Sequence, residues 1–346
     1  MGGKKGGGRV RTASTALTAS FAALTVLTSC TTHPSGSPQL ITIPPNASFA
    51  AVADSLHAHG IVRSRLWFKL VARIEGVDRS VQAGVYEFRP GAPATDVLAA
   101  LAAGRTATTR LTMPEGFTIA DLAALAAGRL GLPADSVVAA ARDTAEVRAL
   151  GLPGPSLEGF LSPDTYSLPV GATARELVRL LAENFKRHWG PAWTARLDTI
   201  GMTELEAVTL ASIVEGEARV DEERATIAGV YRNRLRIGMG LQADPTVQYA
   251  ILLETGHRKP RLYEKDYQIK SPYNTYLYRG LPPGPVNSPG RASIEAALYP
   301  ADVPYLYFVA TPDGHHLFSR TYDEHLRNVT RMRRLARAAP RVDSAR

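Results

Sequence analysis

Cysteine is almost absent from this sequence, since Cys30 is the single thiol among 346 residues. One cysteine cannot form a disulfide within the chain. The sequence also lacks the glycine-rich fingerprints of P-loop and Rossmann nucleotide sites, any metal-binding motif, and the G-x-S-x-G elbow of serine hydrolases. We therefore predict neither a metal ion nor a cofactor, and no thiol or serine nucleophile of the familiar kinds.

An excess of charge is also absent from the body of the chain, although the formal net charge is +8. Four positive charges lie before residue 30, and the segment 327–346 carries seven arginines against one aspartate. The remainder is slightly acidic. The basic composition therefore describes two ends and does not predict a nucleic-acid partner.

The N-terminal segment has the pattern of an export signal. A basic start is followed by a moderately apolar run, residues 13–26, and then by Leu-Thr-Ser-Cys ending at Cys30. This ending resembles the lipobox of bacterial lipoproteins, in which the cysteine is lipidated. Residues 1–30 are therefore predicted to be a lipoprotein-type signal, with an uncleaved membrane anchor as the alternative. Either places the remaining chain on the extracytoplasmic (periplasmic) side of the cell membrane.

Beyond a Ser/Thr/Pro-rich linker at 31–38, the pattern predicts an α+β protein in two parts. Residues 39–112 show a strand–helix–helix–strand order, with a helix over 63–73 whose Leu66, Leu70 and Ile74 are expected to face inward. Residues 113–330 are mostly helical, and 331–346 form a basic tail.

The stretch 203–217, TELEAVTLASIVEGE, predicts a helix that starts with a capping box between Thr203 and Glu206. Apolar residues follow at helical spacing, and Glu215 falls on the face expected to be inward. Burying a carboxylate favours its neutral form, which is what a general acid requires. The alternative is a structural salt bridge, for instance to an arginine of the next helix.

Loops rich in tyrosine, asparagine and proline surround this helix in the sequence, and such side chains suit sugars. Glycoside cleavage usually needs two carboxylates. The candidates for a second are Glu217, which points elsewhere around the helix, Asp244, which looks like a helix cap, and Asp164. None is convincing, which favours a reaction in which the substrate supplies its own nucleophile.

Several long motifs resemble the MltG/YceG family of endolytic murein transglycosylases. They occur in the family's order between about residues 40 and 330: EGFLSPDTY (158–166), ASIVEGEA (211–218), NRLRIGMGLQADPTVQYA (233–250), SPYNTY (271–276), GLPPGPVNSPG (280–290), PYLYFVA (304–310) and HHLFS (315–319).

This resemblance implies an enzyme, a lyase that cleaves the β-1,4 bond after N-acetylmuramic acid in peptidoglycan without water and leaves a 1,6-anhydro end. It implies that Glu215 is the catalytic acid and that 39–112 is a LysM-like subdomain contacting glycan strands. It also implies a role in terminating nascent strands beside cell-wall synthases. Residues within the matching motifs are candidates for substrate binding: Gln242, Asp244, Thr246, Tyr273, Asn274 and Tyr276.

Two other functions remain open at this point. One is a two-carboxylate peptidoglycan hydrolase with Asp244 as base, and the other is a non-catalytic lipoprotein that binds the cell envelope.

Overall fold

The computed structural model describes residues 36–338, so the predicted signal, Cys30, most of the linker and the end of the basic tail lie outside the described residues. The chain divides into two compact units between Thr106 and Ala107. We call residues 36–106 the small unit and 107–338 the large unit. Among the described residues, no helix is both long and apolar enough to cross a membrane.

The small unit pairs two antiparallel strands and packs three helices around them. Strand β1 is paired with β2 from Gln39 opposite Phe88 to Ile43 opposite Gly84. Alternating side chains of these strands, such as Ile41 and Tyr86, enter the core, as expected for a sheet with one buried face. The elements are β1 (Gln39–Ile43), α1 (Phe49–Ala58), α2 (Arg65–Glu75), β2 (Gly84–Phe88) and α3 (Ala94–Ala102).

Helix α2 forms where the sequence predicted a helix, but the predicted inward face is wrong. Phe68 and Ala72 are completely buried, and the Phe68 ring stacks on Phe49 of α1 at 5.6 Å. Leu66 and Ile74 are each 75% exposed instead. Both stripes are apolar and have helical spacing, so periodicity alone could not decide which of them packs on the core.

The third strand, β3, belongs to the large unit, whereas the sequence-based division ended the small subdomain at residue 112. Thr108 to Met113 pair antiparallel with Pro169 to Asp164 of β4. Strand β4 begins within the EGFLSPDTY motif, at Asp164. The ladder ties residues 107–113 to the large unit, which is why the two divisions differ.

The large unit is mainly helical, with two small antiparallel sheets of two strands each, β3–β4 and β5–β6. Its elements are β3 (Thr108–Met113), α4 (Ile119–Leu130), α5 (Ala134–Ala141), α6 (Thr144–Leu150), β4 (Asp164–Pro169), α7 (Ala174–His188), α8 (Pro191–Ile200), α9 (Glu204–Glu217), α10 (Arg224–Arg236), α11 (Asp244–Thr255), α12 (Arg291–Leu298), β5 (Tyr307–Ala310), β6 (His316–Ser319) and α13 (Tyr322–Ala338). The predicted α+β class is confirmed.

Helix α9 lies at the centre of the large unit. It starts with the predicted capping box, in which the Thr203 hydroxyl accepts from the Glu206 amide and the Glu206 carboxylate accepts from the Thr203 amide. Every residue from Ala207 to Val214 is buried, because α8, α10, α11 and α12 pack around the helix. The helix therefore has no single inward face, and position on a stripe cannot by itself select one carboxylate.

Candidate active site

The C-terminal turn of α9 carries two carboxylates, Glu215 and Glu217, separated by Gly216. Two residues correspond to a rotation of about 200° around a helix, so the two side chains leave in opposite directions. A Cβ on Gly216 would lie 2.6 Å from the Pro245 ring, so glycine allows α11 to approach this turn closely. The surroundings of the two carboxylates differ accordingly.

Glu215 is held in a salt bridge, the alternative that the sequence analysis had left open. Its Oε2 atom lies 3.3 Å from a guanidinium nitrogen of Arg224, on the next helix. The same oxygen accepts hydrogen bonds from the Ser293 hydroxyl at 2.8 Å and from the Gly290 amide at 3.0 Å. The Glu215 side chain is only 8% exposed. Three donors, one of them cationic, satisfy an ionised carboxylate and hold it in one place.

Glu115 lies near this ion pair, and its pKa is raised. Burial, reinforced by the nearby charge of Glu215, raises the pKa of Glu115 above its usual value. A Cβ on Gly290 would clash with the Glu115 carboxylate, so this glycine leaves room for it. The Glu215 side of the helix is thus a packed charge cluster, in which the acid predicted from the sequence already has its partners.

Glu217 lies on the opposite side and makes no salt bridge with any residue in the described part of the chain. Its Oε1 atom accepts a hydrogen bond from the Tyr231 hydroxyl at 2.9 Å. Burial raises the pKa of Glu217 to about 7, and the nearby Asp244 charge adds to this, while the Tyr231 hydrogen bond and Arg234 oppose it. A carboxylic acid that titrates near neutrality can both donate and recover a proton at pH 7.

Glu217 also lines a cleft with a volume of about 450 Å³. The other lining residues are aromatic, amide, charged or imidazole side chains together with two apolar residues of β5: Arg234, Gln242, Asp244, Tyr276, Tyr307, Phe308, Val309, Ala310, His316, Tyr322 and His325. Aromatic faces mixed with polar groups are typical of carbohydrate sites. The size and lining therefore suit a sugar beside the carboxylate.

Three of the six predicted substrate-binding residues meet in this cleft: Gln242, Asp244 and Tyr276. Gln242 has a positive φ of 50°, an unusual conformation for a residue other than glycine. Its backbone amide donates to the Thr275 carbonyl at 3.2 Å. Asp244 does not cap α11, because its carboxylate accepts the Tyr276 hydroxyl at 2.6 Å. The turn before α11 thus presents both side chains to the cleft.

The other three candidates do not line the cleft. Thr246 and Asn274 are completely buried. The Thr246 hydroxyl donates to the Ala243 carbonyl. The side-chain nitrogen of Asn274 donates to the Tyr267 and Ile269 carbonyls, and its side-chain oxygen accepts from the backbone amide of Tyr276. These bonds use their polar atoms, so we assign both a structural role. Tyr273 packs against Tyr249 at 4.9 Å within the core.

Arg234 and His325 line the cleft and were missed by the sequence analysis. Arg234 is 6% exposed, donates to the Leu306 carbonyl, and lies over the Tyr307 ring at 5.6 Å. The His325 ring stacks on Tyr307 at 5.4 Å. Arg234 lies in the NRLRIGMG motif between Asn233 and Leu235, and nothing in that local pattern distinguishes it from Arg236. No local pattern marks His325 on its otherwise polar helix.

Comparison with known proteins places this fold and cleft in a described family. The model of the YceG-like family matches residues 41–331. The endolytic murein transglycosylase of Bacillus subtilis is 31% identical over 300 residues, which cover 82% of each chain. The chain belongs to the YceG-like family, as the sequence resemblance predicted.

Two further relatives agree with this. The endolytic murein transglycosylase of Streptococcus pneumoniae (strain D39) is 29% identical over 316 residues, which cover 83% of this chain but only 57% of that longer protein. The crystal structure of a yceG-like protein from Listeria monocytogenes matches with a TM-score of 0.58 and 29% identity, covering 84% of this chain and 98% of the other.

Proposed function

We propose that this protein is an endolytic murein transglycosylase, a lyase acting on peptidoglycan, and that Glu217 is its catalytic acid. One observation carries the assignment of the acid: Glu217 is the carboxylate of α9 that lines a cleft and has a pKa raised to about 7. The names of the relatives support the reaction and its substrate. Glu215, chosen from the sequence, is better explained as an ion-paired positioning residue.

In the proposed reaction, Glu217 donates its proton to the glycosidic oxygen between N-acetylmuramic acid and N-acetylglucosamine. The C6 hydroxyl of the muramic acid residue then attacks its own anomeric carbon and transfers its proton to the Glu217 carboxylate. The products are a 1,6-anhydro end and a free 4-hydroxyl group, and Glu217 is again protonated. One carboxylate serves both steps, and a pKa near 7 suits both directions of proton transfer.

The cleft residues have consistent roles in this proposal. Tyr276 offers its ring to the apolar side of a sugar, and Gln242 offers its side-chain amide to hydroxyl or acetamido groups. Burial raises the pKa of Glu217 and the Asp244 charge adds to this, so both favour the protonated acid. The Tyr231 hydroxyl orients the carboxylate.

Asp244 is also the observation that favours a second candidate function, a two-carboxylate hydrolase in which Asp244 activates water. The short bond from the Tyr276 hydroxyl occupies one lone pair of Asp244 and argues against a free base. The two reactions differ in their products, so analysis of the products separates them.

The cellular setting is part of the proposal. We infer that the N-terminal segment anchors the protein at the extracytoplasmic face of the cell membrane, through lipid on Cys30 or an uncleaved anchor. There it would cut nascent glycan strands beside cell-wall synthases and so limit strand length. In the small unit, the β–α–α–β order is consistent with a LysM-like contact to the glycan.

Mass spectrometry of muropeptides released from purified peptidoglycan tests the reaction, with Glu217→Gln and Glu215→Gln as matched variants two residues apart. We expect 1,6-anhydro ends from the wild type, their loss in Glu217→Gln, and continued production by Glu215→Gln if it folds. Reducing ends would instead indicate the hydrolase. If Glu217→Gln is fully active and Glu215→Gln is folded but inactive, the catalytic acid is Glu215. If the wild type forms neither kind of end, the protein is not an enzyme of this kind, and the remaining candidate is the non-catalytic lipoprotein that binds the cell envelope.

A further inference from the structure

The outer face of α2 in the small unit is an apolar surface made by four large side chains. Leu66 and Ile74 are each 75% exposed, Trp67 is 61% exposed and Leu70 is 50% exposed. They fall within nine residues of one helix, and the spacing of Leu66, Leu70 and Ile74 aligns them along it. Single exposed apolar residues are ordinary, whereas a contiguous set that includes a tryptophan marks a contact surface.

This surface is additional to the face that holds α2 on its unit. Phe68 and Ala72 make that contact from the other side of the helix, where both are completely buried. Helix α2 therefore has two apolar faces, and only one of them is used by the fold of the small unit. Within the small unit, no other residue covers the outer face.

Basic side chains border the outer face. Arg63, Arg65, Lys69 and Arg73 lie in the same stretch, against a single acid, Glu75. Among the described residues, only Asp54 of α1 forms salt bridges with these cations, at 3.6 Å from Arg65 and 3.5 Å from Lys69. Leucine, isoleucine and tryptophan flanked by lysine and arginine are the composition of helices that lie in the interface of an anionic bilayer. A glycan strand, which is uncharged along its backbone and rich in hydroxyls, would not need such a surface.

We propose that the outer face of α2 docks on the surface of an anionic phospholipid bilayer. The apolar side chains enter the boundary between headgroups and acyl chains, and the bordering cations pair with lipid phosphates. The proposed tether at Cys30 is compatible with this, because the segment 31–38 spans at most about 30 Å when extended. The docking surface itself is built from described residues and does not depend on the proposed reaction.

Fluorescence of Trp67 with vesicles tests the proposal on the full-length chain. Cys30→Ser is used throughout, so that no lipid attached to the protein brings it to the membrane. Vesicles contain acyl-chain-brominated phosphatidylglycerol, or brominated phosphatidylcholine as the uncharged control. Bromine quenches only tryptophans that enter the bilayer. We expect quenching with phosphatidylglycerol, its loss in Trp67→Phe, and a fall in quenching at high salt.

Two further variants separate the parts of the surface. Leu66→Ser/Ile74→Ser should weaken vesicle binding by at least about tenfold, and Lys69→Gln/Arg73→Gln should remove the preference for phosphatidylglycerol. Leu66, Ile74 and Arg73 are exposed, and the half-buried Lys69 loses only a surface salt bridge to Asp54. The melting temperature should therefore stay close to that of the parent, which circular dichroism verifies.

The proposal is overturned if the parent shows no quenching with phosphatidylglycerol, or if Trp67→Phe is quenched as strongly as the parent. It is equally overturned if sedimentation shows a dimer that Leu66→Ser/Ile74→Ser dissociates, since the face would then be an interface between two copies. Muropeptide products from the same preparations report separately on the proposed reaction.

Discussion

Replacing Glu217 with glutamine should stabilise the protein at neutral and alkaline pH while it abolishes cleavage. The pKa of Glu217 rises from its usual 4.5 to about 7 on folding, mainly because of burial. Between these two values the folded protein holds a proton that the unfolded chain has lost. The free energy of unfolding of the wild type therefore falls as pH rises from about 4.5 to 7.

The size of this effect follows from the shift. A difference of about 2.5 pKa units corresponds to about 3 kcal/mol. This is an upper bound, because Glu217 is half-buried and lines an open cleft, where solvent weakens the effect. Glutamine is neutral at every pH and its oxygen can still accept the Tyr231 hydroxyl. Below pH 4.5 the variant should match the wild type, and above pH 7 it should be more stable by up to about 3 kcal/mol.

Urea unfolding at a series of pH values measures this difference. Glu158, whose pKa burial also raises to about 7, contributes to both curves and cancels when they are subtracted. If the Glu217→Gln and wild-type curves stay parallel from pH 4 to 8, the carboxylate is not held neutral and the argument for a general acid fails.

The other predictions concern the packing around the cleft. Gly229→Ala would bring a Cβ into the Ala301 carbonyl oxygen and should destabilise the protein by about 1–3 kcal/mol in the same urea assay. Gly128→Ala is the control on another helix: its Cβ would meet nothing within 4 Å, and it should stabilise the protein by up to about 1 kcal/mol. Equal effects of the two changes would contradict the packing of α10. Tyr276→Phe removes the donor to Asp244 and should lower the rate of cleavage with little loss of stability. A Tyr276→Phe enzyme with wild-type rates would show that the bond from the Tyr276 hydroxyl to Asp244 is not needed for cleavage. Asn274→Ala should instead cost about 1–3 kcal/mol of stability, because it leaves buried carbonyls without donors, and unchanged unfolding with lost cleavage would show that Asn274 contacts substrate.

Features set by neighbouring residues were predictable from the sequence. The Thr203–Glu206 capping box formed as predicted, because both partners lie within one helical turn. Strand β1 and helix α2 also appeared at about their predicted positions. The long motifs identified the family, and the α+β class followed from the order of local patterns.

Three-dimensional contacts decided the rest. The donors that hold Glu215 include Ser293 and Gly290, which are more than 70 residues away in the chain, so no local pattern could show that this carboxylate was already paired. Nor could a local pattern show the burial that raises the pKa of Glu217, or the approach of Asp244 that adds to it.

The sequence by itself therefore determined the family, the fold class and the helix that carries the candidate acid. It did not determine which of the two neighbouring glutamates, Glu215 or Glu217, lines the cleft as the candidate acid. Nor did it determine which apolar face of α2 packs inward. Capping and periodicity act within a few residues, whereas burial, charge pairing and cleft formation arise only when distant segments meet.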